Sequence, residues 1–554
     1  MSLSAATIPA ELTQHGVELS IEQKNTGSDM ISLLRSIGIT VLVGLGIAGC
    51  GGGGSDVNIN ANDNSSSTDN SVSTGGGSTN PCASYTIAGS TTTRQGSFDG
   101  TNCTYDAAFV GETNPLTQDL TIPFITGAHI FNDVLQVGEN VSSGPAPAGG
   151  TGPVLTIEAG VTLAFADDDY LLVNRGSQII AVGSPSRPIT ITGFADAVTG
   201  TADQFDVSLW GGVVINGNGI TSQCDDTARA NDNCHLLSEG KPSNFGGNDN
   251  AESSGRLEYV VVKHTGFEAA PGDELNGITF NAVGAGTVVR NIQVYSTFDD
   301  GVEFFGGAVD VEYLIALYVR DDSIDYTDGY VGTVGPALVI HNPTDGNRCV
   351  EGDGDGSNAG LTPITNPTIV NLTCIPSNID EPPSTHGDSE GIVIRRGART
   401  TFLNSIVYDG HGVNFLSQSG NELFEIDDSN TTQAAQDGQT IFAGSLLAGS
   451  EATKDALPNG DTIDLWVLDT GSASYAVNAG NAIITDTAPG ASILDGFYTA
   501  AAFTDVMGNP ISVTPADTDG DGDTSDEIIG AVVASDDWTA GWAFGLDSSL
   551  YFLP

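Results

Sequence analysis

The segment VRNIQV at residues 289–294 returns as VEYLIA at residues 311–316, twenty-two positions further on. The same shift carries Asp299 to Asp321, Asp300 to Asp322, Glu303 to Asp325 and Phe304 to Tyr326. Coincidences this dense in one register are a repeat. A unit this short buries its apolar face only by stacking on its neighbours, so the chain is expected to wind as a solenoid of short strands. IVNLTC at residues 369–374 and FLNSIV at residues 402–407 have the pattern of later copies. Upstream, strand-like runs start at residues 155, 171 and 188, a spacing too regular for a sandwich. No helical periodicity of any length follows Pro81. The expected fold is all-β, a right-handed parallel β-helix forming a single solenoid, with an array of β-sandwiches as the alternative.

Ahead of the repeat, residues 30–50 read MISLLRSIGITVLVGLGIAGC. Arg35 supplies a positive n-region, residues 37–47 an apolar h-region, and small residues precede Cys50. This resembles the lipobox of Gram-negative lipoproteins, whose cysteine is acylated after cleavage. Residues 1–29 hold no hydrophobic run, so translation is expected to start at Met30, with an extended n-region as the alternative. The apolar stretch is shorter than the ~20 residues that span a bilayer. Several acyl chains on Cys50 would hold the chain durably at a membrane surface. Residues 51–81, almost devoid of large apolar side chains, are expected to act as a flexible tether. Lipoproteins kept in the inner membrane often carry Asp beside the cysteine; Gly51 and Gly52 stand there instead, which points to the outer membrane, on either face.

The remaining six of the seven cysteines fall into sequence-local pairs, Cys82 with Cys103, Cys224 with Cys234 and Cys349 with Cys374. None has the CxxC spacing of metal ligands, and an oxidising compartment would make them disulfides. The 70 acidic and 16 basic residues leave a net charge of −54, which argues against nucleic acid or anionic lipid as partner. Such acidity keeps a protein soluble in salty water and offers carboxylates to divalent cations.

Several segments resemble an extracytoplasmic β-helix family: LTIEAGVTL from residue 155, SLWGGVVINGNG around Trp210, residues 246–255, DDGVEFFGGAVDVEYLIALYVRDDSIDYTDGY from residue 299, and IIGAVVASDDWTAGW around Trp538 and Trp542. The resemblance, which runs from Cys82 to the last residue, implies a Gram-negative cell-surface or outer-membrane lipoprotein of pectate-lyase-like fold. It carries no reaction with it. The expected division is a cap region over 82–150, the β-helix over 151–425, and C-terminal coils and cap over 426–554.

Two acidic groups are candidate sites. Asp517, Asp519, Asp521 and Asp523 occupy positions 1, 3, 5 and 7 of a loop with Gly522 at position 6, the opening of an EF-hand-type calcium loop. Position 12 is Ile528 rather than a bidentate Glu, with Asp526 and Glu527 just before it, so a calcium-stapled loop without flanking helices is the closer comparison. Residues 351–358 form a weaker calcium candidate. In the repeat, stacking puts Asp299 over Asp321 and Asp300 over Asp322 at ~4.8 Å. At that distance two charges repel by about 0.9 kcal/mol in water and about 3.5 kcal/mol at an effective dielectric of 20. A divalent cation would offset this; so would a raised pKa, splayed side chains, or pairing with Arg320. With Glu303, Asp325 and Asp328 nearby, the column is a candidate metal site, a sugar-binding floor, or a solvated row of turns.

Many parallel β-helices are polysaccharide lyases that use calcium on stacked aspartates and an Arg or Lys base. Stacked aspartates are present here, as are Arg395, Arg396 and Arg399, and Lys263 beside His264. Nothing in the sequence brings these groups together, and His129, His264, His341, His386 and His411 are scattered. No GxSxG, HExxH, P-loop or dinucleotide fingerprint occurs. Phe304, Phe305, Tyr326 and Tyr330 are expected mainly in the core, with a faint lean to sugar stacking. Trp538 and Trp542 are expected to cap the open end of the solenoid, where strand edges invite aggregation. The chain thus reads as an envelope-anchored, calcium-supported β-helix scaffold that binds a glycan or an outer-membrane partner. The alternative is a β-helix polysaccharide lyase or glycoside hydrolase, which requires a cleft where a basic residue or a carboxylate pair meets a metal site.

Overall fold

Strands that stack in register must repeat their inward and outward sides from coil to coil, and this alternation organises the whole solenoid. The computed structural model of the chain describes residues 80–546, apart from 241–242, 271–272, 356–357, 378–385, 388, 410–421, 450, 486–496, 499–502, 505–509 and 534. Cys50, the leader, most of the tether and His411 therefore lie outside the described residues.

Nine parallel strands form one sheet in the order Leu135–Val137, Leu171–Val173, Val213–Asn216, Ile278–Asn281, Val302–Phe305, Ile324–Thr327, Arg348–Asp353, Glu390–Arg395 and Phe424–Ile426. A twenty-stranded sheet supplies the other sides of the coils. Its long strands Gly255–Lys263, Val288–Tyr295 and Asp310–Leu317 each bend at one residue with left-handed φ, Tyr259 (51°), Asn291 (54°) and Tyr313 (60°). Asn371 and Asn404, both at 53°, turn the same corner in later coils. Asparagine tolerates this conformation better than most residues, because its short side chain bonds locally.

The twenty-two-residue register is present: Val289 pairs with Val311, Ile292 with Leu314, Glu303 with Asp325 and Phe304 with Tyr326. Ile369 pairs with Phe402, as later copies should. The run starts at 155, 171 and 188 have a different meaning from the one expected. Leu155 pairs with Ile179, whereas Leu171 lies in the other sheet and pairs with Val213. Those starts mark different sides of two adjacent coils, not one side of successive coils. Among the described residues, parallel stacking runs from Cys103 against His129 to Ala448 against Ile484.

Inward side chains stack on their own kind. Phe131, Phe165 and Trp210 lie with ring centroids 5.5 and 4.8 Å apart, and Phe280, Phe304 and Tyr330 with spacings of 5.2 and 4.3 Å. Offset ring pairs of this kind add about 0.5–1.5 kcal/mol each beyond the area they bury. Phe304, Tyr326 and Tyr330 are thus core residues and unavailable to a sugar. The three cysteine pairs are closed, with S–S distances of 2.06, 2.07 and 2.14 Å. No helix among the described residues is long and apolar enough to cross a membrane.

Trp538 and Trp542 do not cap the end of the stack. The C-terminal segment returns along the outside of the middle coils, where Trp542 is buried with Val261, Tyr295, Ile315, Leu317, Leu338 and Ile340. Outward apolar side chains on those strands need cover, which is the physical reason for the return path. Gln293 fastens the segment by donating from Nε2 to Phe544 O and accepting from Phe544 N, both at 2.7 Å. Asn404 holds residues further upstream through Ala516, donating to its carbonyl at 2.9 Å and accepting from its N–H at 2.7 Å.

Replacing Asn404 by Ala removes both bonds and leaves a β-carbon in left-handed backbone, and should cost about 1–3 kcal/mol in urea unfolding. Asn404→Gly, which keeps the backbone at ease, should cost less.

Candidate functional site

Residue 303 and its equivalents point outward because Val302 and Phe304 on either side of it point into the core. Register then aligns Thr279, Glu303, Asp325, Glu351, Val393 and Glu425 along one flank on six consecutive coils. Beside this row the turns preceding the strands bring Asp299 and Asp300 level with Asp321 and Asp322, as the repeat predicts. Backbone fastens the second pair: Asp322 N–H donates to Asp300 Oδ1 at 3.0 Å. Asn276 adds a clamp, accepting from Asp300 N–H at 3.2 Å and donating to Glu303 Oε2 at 2.6 Å.

The result is a pocket of about 410 Å³ lined entirely by polar side chains. Its carboxylates are those of the six column acids together with Glu239, Glu274 and Glu351; its basic groups are Arg348, Arg395 and His386. Three overlapping sets of ligand atoms lie within 4.8 Å of one another: Asp299, Asp321 and His386; Asp300, Asp321 and Asp322; Asp300, Glu303 and Asp325. Asp322 Oδ1, Asp325 Oδ1 and His386 Nε2 are buried and meet no hydrogen-bond partner among the described residues. Buried oxygens of this kind cost free energy unless something coordinates them.

Burial is the main force on the acids, and it raises the pKa of each shifted one. Asp299 is pushed up to about 8 by burial and then by the charge of Asp321. Asp300, Glu303, Asp322 and Asp325 are all raised well above the usual carboxylate range, first by burial and then by one another and by Glu239, Asp321 and Asp353. His386 also rises: burial pulls it down, but Asp321 Oδ2, 2.6 Å from Nδ1, outweighs that. Arg348 partly compensates the cluster, reaching Glu351 at 2.6 Å, Glu390 at 2.8 Å and Asp322 at 3.8 Å. Arg395 pairs with Glu351 and with Asp353 at 2.8 Å, and its guanidinium is held below its ordinary range by burial and by Arg348 and Arg396.

Arg320, one of the groups that could have offset the column, turns away to Asp345 at 3.3 Å and to Phe205 O at 3.0 Å. Its place is taken by Arg348 from the following coil. In segment 351–358, Glu351 and Asp353 belong to the strand Arg348–Asp353, and Arg395 and Arg396 engage Asp353. Asp328 lies one turn away and bonds Gln223 at 2.7 Å. Lys263 and His264 sit elsewhere, Lys263 on Asp196 at 2.7 Å and His264 on Asp206 O at 2.6 Å. His129 is fastened to Tyr105 and Pro123, and His341 to Ser323. Arg399 lines a different pocket with Gln433 and Asp437.

In the C-terminal loop Asp517, Asp519 and Asp521 bring ligand atoms within 4.8 Å of one another. Asp517 accepts from Gly520 N–H at 2.6 Å and Gly522 N–H at 2.9 Å, and both glycines have left-handed φ, 79° and 83°. Asp523 instead accepts from Ser525 at 2.9 Å, and Glu527 turns back on Thr518 at 2.7 Å. The loop's alternation converges three of the five expected ligands.

A raised carboxyl pKa means that the folded state binds protons the unfolded chain has released. Its stabilising contribution is complete below the unfolded value and is lost as pH climbs through the folded one. In EDTA the melting temperature should therefore fall as pH rises from about 5 to 8, at no more than about 1.4 kcal/mol per unit for each such group. Asp299→Asn should flatten that fall in melts recorded across the range.

A family model described as pectate-lyase-like beta helix domain matches residues 148–479. No curated protein matches the chain, and no solved structure does. Because the matched residues are more than half of the 554 and contain most of the parallel coils and the whole acid pocket, the chain belongs to the family of pectate-lyase-like β-helix domains.

Proposed function

We propose that this protein is a lipid-anchored outer-membrane scaffold whose β-helix binds an acidic polysaccharide through divalent cations, calcium foremost, in the column pocket. The observation that carries the reading is the crowding of nine carboxylates around buried oxygens that have no hydrogen-bond partner among the described residues. A cation on Asp300, Asp321 and Asp322 would offset part of the cluster's charge, and a hard cation that takes six to eight oxygens would keep positions open for a ligand. A uronate carboxylate fits those positions, whereas without the cation the same pocket repels it. Loop 517–527 would hold a second calcium with a structural part to play. Cys50 would supply the membrane anchor, and an outer-membrane protein remains the other class of partner for the flank. The net charge of −54 disfavours nucleic acid.

A second reading, a polysaccharide lyase or hydrolase, is favoured by one feature: Arg395 lies in the same pocket as the cation ligands, with its pKa held down. A lyase needs this juxtaposition, since the cation acidifies the proton beside the uronate carboxyl and a base of lowered pKa removes it. Against it, Arg395 is committed to Glu351 and Asp353.

Calcium at a hundredfold excess over its Kd should stabilise the protein by about 2.7 kcal/mol per site, seen as a rise in the melting temperature relative to EDTA. Asp321→Ala should abolish the column's share, and Asp519→Ala with Asp521→Ala that of the loop. A polygalacturonate column should retain the protein in calcium and release it in EDTA. If the melt ignores calcium and nothing is retained, the scaffold reading falls; if the eluted polymer carries unsaturated ends, the lyase reading replaces it. Cys50→Ser should move the protein from the membrane fraction to the soluble one.

A further inference from the structure

The C-terminal segment crosses the flank of the middle coils beside the corner at which the long strands bend. Tyr259, Asn291 and Tyr313 hold equivalent positions in three consecutive coils, as the pairing of Val260 with Ile292 and of Ile292 with Leu314 requires. The two tyrosines are therefore about two coil rises apart, roughly 10 Å. Both keep left-handed φ, an uncommon state for a bulky side chain that persists only where the surroundings demand it. Trp538 meets Tyr313 with ring centroids 5.3 Å apart, and Trp542 meets Tyr259 edge-on at 5.7 Å. Between tail and coils lies a pocket of about 520 Å³ lined by Tyr259, Arg290, Asn291, Tyr313, Asp536 and Trp538 among others.

The polar groups here are spare. Arg290 spends Nε on Glu258 at 2.5 Å, and its terminal nitrogens form no hydrogen bond among the described residues. The same holds for the tyrosine hydroxyls, the side-chain amide of Asn291 and the carboxylate of Asp536. Trp538 is fixed in place, donating from Nε1 to Ala531 O at 2.7 Å.

We infer that this pocket is a second binding site, for a neutral saccharide, formed only when the C-terminal segment docks on the solenoid. Aromatic rings offer faces to the C–H side of a sugar ring, while amide, guanidinium, phenol and carboxylate offer both donors and acceptors to hydroxyls. One guanidinium and the carboxylates beside it leave no surplus of positive charge to hold an anion. The spacing of Tyr259 and Tyr313 suits two or more linked sugars lying along the coil axis. This site lies on other residues than the acid pocket, and its occupation needs no cation.

The test uses the full chain and a panel of neutral hexasaccharides of glucose, xylose, mannose and galactose, with a galacturonate hexasaccharide as contrast, followed by tryptophan fluorescence and calorimetry in EDTA. At least one neutral oligosaccharide should bind and shift the Trp538 emission. Tyr313→Ala and Arg290→Ala should each weaken that binding roughly tenfold, while Asp321→Ala in the acid pocket leaves it unchanged. Asp536→Asn, an exposed and conservative change, checks the result against loss of folding and should also weaken it. Failure of all four neutral sugars to bind, or binding that these pocket variants do not alter, overturns the inference. Binding of the galacturonate alone in EDTA would also overturn it.

Discussion

Strands of successive coils lie about 4.8 Å apart with inward side over inward side and outward over outward, and the rest of the structure follows from that constraint. Inside, it is favourable. Phenylalanine over phenylalanine and valine over isoleucine build continuous ladders, of which the Phe131, Phe165 and Trp210 stack is the clearest. Outside, the same rule sets aspartate over aspartate, and there it is costly.

The protein meets that cost differently in its two acidic regions. In the exposed loop around Asp517 to Asp523, water and local N–H groups suffice, and successive carboxylates accept bonds from residues two or three positions ahead. In the column, burial removes water. Arg348 and Arg395 neutralise the Glu351 end, and His386 holds Asp321, but Asp300, Glu303, Asp322 and Asp325 are left with more negative charge than protein groups offset. Protons held at the raised pKa values offset that charge, which couples the folded state to pH.

The twenty-two-residue shift was legible because it relates two adjacent coils with no insertion between them, so Asp299, Asp300, Glu303 and their partners could be placed without coordinates. Glu351, Arg348 and His386 were not legible as members of the same pocket. The step from Asp325 to Glu351 is longer than the repeat, and loops between coils carry His386 far along the chain before returning it to Asp321. Arg395 was visible as part of a basic run, but its pairing with Asp353 depends on a register that loop length hides. Trp538 and Trp542 were misplaced for a related reason: a tail after the last coil looks like a cap until the outward apolar face on Val261, Ile315 and Leu338 is known to need cover.

The sequence by itself determined the class of fold, the local cysteine pairs and the stacking of the acids, because each depends on periodicity or short separation along the chain. Only the tertiary structure decided which basic groups face those acids, which way Arg320 turns, and where the C-terminal segment lies. These depend on contacts between residues tens to hundreds of positions apart, whose relative placement is set by the sum of all intervening coil lengths rather than by any local pattern.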